Sequence, residues 1–302
     1  RGIQNQYDLG LWLRDRYSDF LPSRYSPRTI RAVSTDVDRT LMSAEATLAG
    51  LFQPTESEKW NKNINWQPVP IHTAPPEDDP LLAMKKFCKK YNRLFNELLT
   101  SKHIREINEI NKNLFDFLSE NSGESVRDVY DVEFIYNTLL TQNLSNKTLP
   151  EWAMEVYPDK MKPSVILRFK LPCYNQELAR LKTGLLFGEI VKNFKEFAEN
   201  SIRKASKLLM FSGHDSTLAD VLTTMGAFND EIPSYSSAII IELYRNETDL
   251  NPYVNVFFRN NTGIHNITLE NCDFDCDFGN FVQIFEPIIQ SNLTQWEEEC
   301  EN

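Results

Sequence analysis

The chain of 302 residues is short of positive charge: 32 Lys and Arg stand against 43 Asp and Glu, a net charge of -11. Such a surface repels nucleic acid, and an enzyme of anionic substrates would have to focus cations locally. Long apolar runs are also missing. The longest, such as Leu208 to Phe211 and Ala238 to Ile241, fall far below the ~20 residues that span a bilayer. There are no internal repeats and no low-complexity segments. Cys272-x-x-x-Cys276 has no second thiol or His pair at zinc spacing, so neither a metal nor a cofactor is expected.

What is present bounds the answer from the other side. A hydrophobic content of 41% fills a real core and excludes a disordered or fibrous chain. The length suits two domains or one large α/β domain. Position 1 is Arg and no leader is visible, which predicts a processed or trimmed chain. Asn-x-Ser/Thr triplets occur at Asn143, Asn146, Asn246, Asn260, Asn266 and Asn292, and a set of this size favours secretion. Five cysteines leave one thiol over, and the residues alone leave fifteen arrangements open.

Period and punctuation give the organisation. Tyr7 to Phe20 reads as a helix, with Leu9, Leu13 and Tyr17 along one side. A short strand at Thr29 to Val33 leads through Ser34-Thr35-Asp36, a turn with cap residues, into a helix striped by Val37, Leu41, Ala44, Leu48 and Leu51. Residues 53–80 lack a period and read as an excursion over the surface. Residues 81–139 look helical, with a break at Gly123, and a long helix is expected between about Asn175 and Lys204. Leu208 to Phe211 then reads as a strand, Ser212 to Asp215 as a tight turn, and Leu218 to Met225 as a helix stopped by Gly226. Strands follow at Ala238 to Tyr244 and Tyr253 to Phe258. The expectation is one α/β sheet, from residues 1–80 and 205–302, interrupted by a helical cap lobe at 81–204.

Open α/β sheets bind ligands at the carboxyl ends of their strands, where helix N-termini point into the crevice. Two turns here fit that description, Ser34-Thr35-Asp36 and Gly213-His214-Asp215. His214 and Asp215 could act as hydrogen-bond donor and proton-transfer acid, or serve simply as a helix cap. His72, His103 and His265 have no partner pattern and read as surface or loop residues.

These residues carry a resemblance. The run Ser34 to Ala44, then Trp66-Gln67-Pro68-Val69-Pro70-Ile71-His72-Thr73, then Ser212-Gly213-His214-Asp215-Ser216-Thr217 resembles the histidine acid phosphatases, in their prostatic, lysosomal and insect venom branch. The resemblance covers Tyr7 to Cys300. It implies the α/β histidine phosphatase fold with a helical lobe, secretion, and hydrolysis of phosphomonoesters at acid pH through a phosphohistidine. It also implies bridges Cys88 to Cys300 and Cys272 to Cys276, with Cys173 left as the free thiol.

The family pattern is incomplete. It needs a nucleophilic His in an Arg-His-Gly motif, which does not occur among the 302 residues. Val33 stands before Ser-Thr-Asp where the resemblance expects an Arg, and a valine cannot hold a phosphate. Leu82 and Lys86 align with a Tyr and an Arg beside the pocket. Losing an arginine while keeping Asp215 shifts the charge balance toward cations. His214, Asp215, Val33, Leu82, Lys86 and the aromatic Trp152 would then line a cleft for a small ligand, unless Trp152 simply packs the lobe. The resulting expectation is a secreted, catalytically impaired relative of the salivary acid-phosphatase-like proteins of blood-feeding insects. Its partner would be a small molecule, a biogenic amine or a leukotriene, with no nucleic acid or membrane involved. The alternative is an active acid phosphatase.

Overall fold

Helix α1 (Gly2–Arg16) lies flat on a later helix because glycines meet at the crossing. Strand β1 (Ile30–Ser34) buries Ile30 and Ala32 and feeds α2 (Asp38–Leu51), the partner of α1. A Cβ on Gly10 would sit 2.1 Å from the carbonyl oxygen of Thr47, and one on Gly50 would sit 2.3 Å from that of Tyr7. No side chain fits such an approach, so the two backbones touch. Leu48, Leu51 and Phe52 pack against Ile30 and Ala32 to form a small core under β1. This computed structural model describes residues 1–198, 206–245, 248 and 250–302.

The surface excursion contains two short elements that the sequence did not announce, a 3-10 turn at Pro76–Asp78 and β2 (Ile71–His72), which pairs parallel with β1. Two residues carry no readable period; the partner strand makes the element. Beyond it, every regular element between residues 81 and 198 is helical. These are α3 (Lys89–Leu99), α4 (Lys102–Ile110), α5 (Lys112–Ser122), α6 (Val129–Leu144), α7 (Lys162–Lys170) and α8 (Gln176–Ala198). Their boundaries follow local chemistry. The Ser101 hydroxyl accepts from the Ile104 N–H to start α4, and the Asp128 carboxylate accepts from Tyr130 and Asp131 to start α6. Gly123, at φ +79°, ends α5 in the left-handed region that favours glycine. Phe115, Leu118, Val132, Met161, Val165 and Phe169 fill the lobe's centre. The expected helix end near Lys204, and with it the lobe boundary, lies outside the described residues.

Strand β3 (Leu208–Ser212) returns to pair parallel with β1, giving the order β2-β1-β3. Helix α9 (Asp215–Thr224) follows. The remaining strands β4 (Ala238–Arg245), β5 (Pro252–Asn260), β6 (Gly263–Ile267) and β7 (Cys276–Asp277) form a separate antiparallel ladder. The single sheet expected from the sequence is thus two ladders. Hairpin pairing joins β4 to β5 and β5 to β6, and among the described residues no ladder connects β3 with β4. Helices α10 (Phe278–Phe285) and α11 (Leu293–Glu301) close the chain. Cys88 bridges to Cys300 and Cys272 to Cys276, and Cys173 is free and buried, the arrangement the resemblance implied.

Candidate functional site

Strands β1 and β3 run parallel with Ser34 opposite Ser212, so both end at one level. The register is locked past the strand ends. The Thr35 N–H donates to the Ser212 carbonyl at 3.1 Å, and the Ser212 hydroxyl donates to the Thr40 carbonyl at 2.8 Å. The first turns of α2 and α9 therefore open at the same edge, with two positive dipole ends. Gly213 permits the second turn: a Cβ there would lie 2.9 Å from Thr217 Oγ1. That hydroxyl instead accepts the His214 N–H at 3.1 Å. The expected side-chain cap of α2 is not formed. Its cap position is Val37, in extended conformation and without a side-chain bond, because the Thr35 hydroxyl is engaged elsewhere.

Thr35 belongs to a chain of hydrogen bonds whose direction is fixed at both ends. Thr40 Oγ1 lies 2.8 Å from the Val37 carbonyl and 3.0 Å from that of Thr35, and carbonyls only accept, so the Thr40 hydrogen is used there. Thr35 Oγ1, 2.7 Å away, must then donate to Thr40. His214 Nε2, 3.1 Å from Thr35 Oγ1, must in turn donate to Thr35. That leaves Nδ1 with its lone pair, and Nη2 of Arg39 donates to it at 3.2 Å. A guanidinium has no acceptor, so the far end gives the same answer independently: neutral His214 carries its proton on Nε2. Thr35 and Thr40 are buried, which keeps water from competing.

Burial of the ring, and then the charge of Arg39, hold His214 below the ordinary imidazole range; Asp215 pulls the other way, and Lys85 adds a smaller depression. Asp215 is exposed at the first turn of α9, where its Oδ1 accepts from the Ser216 N–H at 2.8 Å. Lys85 arrives on a loop folded around Asp79. That buried carboxylate accepts the N–H groups of Leu81, Leu82 and Ala83 at 2.8–2.9 Å. The Leu82 carbonyl accepts from Thr217, tying the loop to α9.

The remaining residues read from the sequence scatter. Val33 lies on β1 between His72 and Phe211. Val33 brings no charge to the crevice, and Arg39, which the first turn of α2 carries over the strand end, stands against His214 there. Lys86 pairs with Glu297 of α11 rather than with the crevice, and its neighbour Lys85 is the lysine that acts on His214. The Leu82 side chain is buried. Trp152 packs edge-on against Phe117 in the lobe and borders a lobe cavity of about 600 Å³ that shares no residue with the His214 turn. His265 bonds Thr262, and His103 lies on α4. Among the triplets, Asn143, Asn146, Asn266 and Asn292 are exposed. Asn260 accepts from Thr262, Asn292 caps α11, and Asn246 lies outside the described residues.

Arg39, Lys85 and Asp79 were missed from sequence. Arg39 stands inside the quoted motif, in the first turn of an expected helix, so its place was readable; its reach across to a turn 175 residues away was not.

Two strand ends, two helix N-termini and a His-Asp turn under an arginine define a histidine phosphatase fold and its crevice. The model of the histidine phosphatase superfamily (branch 2) matches residues 1–259, and the chain belongs to that superfamily, within the histidine acid phosphatases. It is 33% identical to bovine (Bos taurus) prostatic acid phosphatase over 99% of this chain and 77% of the relative. Human (Homo sapiens) lysosomal acid phosphatase is 34% identical over 99% and 71%. Among solved structures, the phytase of Citrobacter braakii superposes with a TM-score of 0.68 at 15% identity, covering 97% of this chain and 88% of that one. The Hafnia alvei phytase in complex with tartrate gives 0.67 at 15% identity, over 96% and 86%. These likenesses concern the fold alone.

Proposed function

We propose that the crevice binds the phosphoryl group of a phosphomonoester and takes part in acid phosphatase chemistry. The observation that carries this reading is Arg39 on His214. Arg39 and Lys85 bring positive charge to two helix N-termini in a chain of net charge -11, and neither forms an ion pair among the described residues. Arriving phosphate would draw Arg39 off Nδ1 into a charge-assisted pair. The freed Nδ1 could then take a proton from the acidic ester, leaving His214 as a cation. Asp215 would protonate the leaving oxygen. No Arg-His-Gly motif occurs among these residues, so the group that attacks phosphorus in this family is not among them. Secretion is part of the proposal, resting on the two disulfides and the exposed Asn-x-Ser/Thr triplets.

A second reading keeps the crevice as a binding site without turnover, for a biogenic amine or a leukotriene, and rests on Val33 and the missing motif. Arg39 and Lys85 favour the anionic lipid over the amine. Calorimetry at pH 5 with inorganic phosphate, serotonin and a leukotriene, beside a p-nitrophenyl phosphate assay, separates the two. The first reading expects phosphate to bind and Arg39→Ala to weaken it by about 10–100-fold; binding of serotonin with no heat from phosphate would overturn it.

A further inference from the structure

Helix α9 carries His214 and Asp215 at its start and enters both large hydrophobic clusters, with Ala219 in the lobe's and Val221 and Met225 in the core's. On the same helix, five residues past Asp215, stands Asp220, which is 4% exposed. Among the described residues its Oδ1 has no hydrogen-bond partner. The groups facing it come from every neighbouring element: Lys182 of α8, Arg168 of α7, Tyr91 of α3, Tyr130 of α6 and the buried Cys173 thiol. Both cations are committed elsewhere. Arg168 pairs with Glu133 at 2.9 Å and lies over the Tyr130 ring, while Lys182 donates to the Met84 carbonyl at 3.1 Å. Neither forms an ion pair with Asp220 among the described residues.

A buried carboxylate with an unfilled oxygen and no fixed counter-ion is costly. Protonation removes the charge and turns one oxygen into a donor. We propose that Asp220 is a positioning residue for the His214 crevice: as a neutral acid it seats α9 between lobe and core, and as a carboxylate it loosens that seat. Burial, opposed by Lys182 and then Arg168, pushes Asp220 up to about 6. The sign follows. A carboxyl raised in the folded state contributes stability that is fully present below its unfolded range and is lost as pH rises through about 6. The depressed His214 acts in the opposite direction, so the readout is the difference between wild type and a variant at position 220. The proposal rests on the anion-site reading only where phosphate is the probe.

The test compares wild type with Asp220→Asn by thermal melting between pH 4.5 and 8, and by amide hydrogen exchange over residues 215–224. Between pH 5 and 7.5 the wild type should lose on the order of 5 °C more than the variant. Its α9 amides should gain exchange toward neutral pH, after correction for intrinsic rates, where those of the variant do not. Parallel melting curves and equal exchange would overturn the proposal. Should the Asn variant not fold, Lys182→Met decides: loss of that cation should move the wild-type window to higher pH, and an unmoved window would overturn the role of Asp220. Phosphate titration of the same samples tests the crevice separately. Absence of binding would count against the anion site, while melting and exchange still decide on Asp220.

Discussion

Arg39 and His214, 175 residues apart in the chain, meet with Nη2 3.2 Å from Nδ1. The contact does two things at once. It fixes the tautomer of a half-buried imidazole, and it sets a permanent positive charge at the mouth of two helices in an acidic protein. Both consequences are open to measurement.

Replacing Arg39 with alanine should weaken phosphate binding by about 10–100-fold, the equivalent of one charge-assisted hydrogen bond. The imidazole of His214 should titrate at higher pH in this variant, because a cation that disfavours its protonation is gone. Calorimetry gives the first quantity and proton NMR the second. An unchanged His214 titration would separate Arg39 from the ring.

In the wild type, His214 should gain its proton below the ordinary imidazole range. A histidine depressed in the folded state leaves stability intact above its unfolded value, near pH 6.5, and removes it as pH falls through the lower folded value. His214→Gln should therefore flatten the acid side of the melting profile below about pH 6.5. Phosphate binding should strengthen over the same fall in pH in the wild type only.

Thr40→Val removes the acceptor of the Thr35 hydroxyl and so breaks the chain that orders His214. The cost should be about 1–3 kcal/mol, from leaving a buried hydroxyl unpaired. Nitrogen chemical shifts of His214 should move toward mixed tautomers, and Thr40→Ser should restore both readouts. A loss of stability with unmixed tautomers would show that Thr40 merely fills space.

The bridge Cys88–Cys300 closes 212 residues and Cys272–Cys276 closes 4. On the chain-entropy model their removal costs about 5 and about 2 kcal/mol. Urea unfolding of Cys88→Ser/Cys300→Ser and of Cys272→Ser/Cys276→Ser should preserve that order.

Trp152→Ala should destabilise the lobe by about 1–3 kcal/mol, since the ring packs on Phe117, and should leave phosphate affinity unchanged. A fall in affinity without a fall in melting temperature would bring Trp152 back to the crevice.

Local signals in the chain determined a good deal. The strands before Ser34 and Ser212 and the helices after them follow from period and glycine, because burial of one face imposes its own spacing. The two bridges came with the resemblance to the acid phosphatases. Elements that exist through a partner were not readable. Strand β2 is two residues laid on β1, and the antiparallel pairing of β4, β5 and β6 separates them from the first sheet. The site divides in the same way. The sequence by itself named His214 and Asp215, because a strand, a tight turn and a helix leave a local mark. Tertiary structure alone decided that Arg39 reaches His214 from the first turn of α2, that the charge of Lys85 acts on that ring while Lys86 pairs with Glu297, and that Asp220 is buried among neighbours from four other helices and the Cys173 thiol. Direction and burial are set by the packing of distant segments, and a linear pattern carries no record of which way a side chain turns once those segments close.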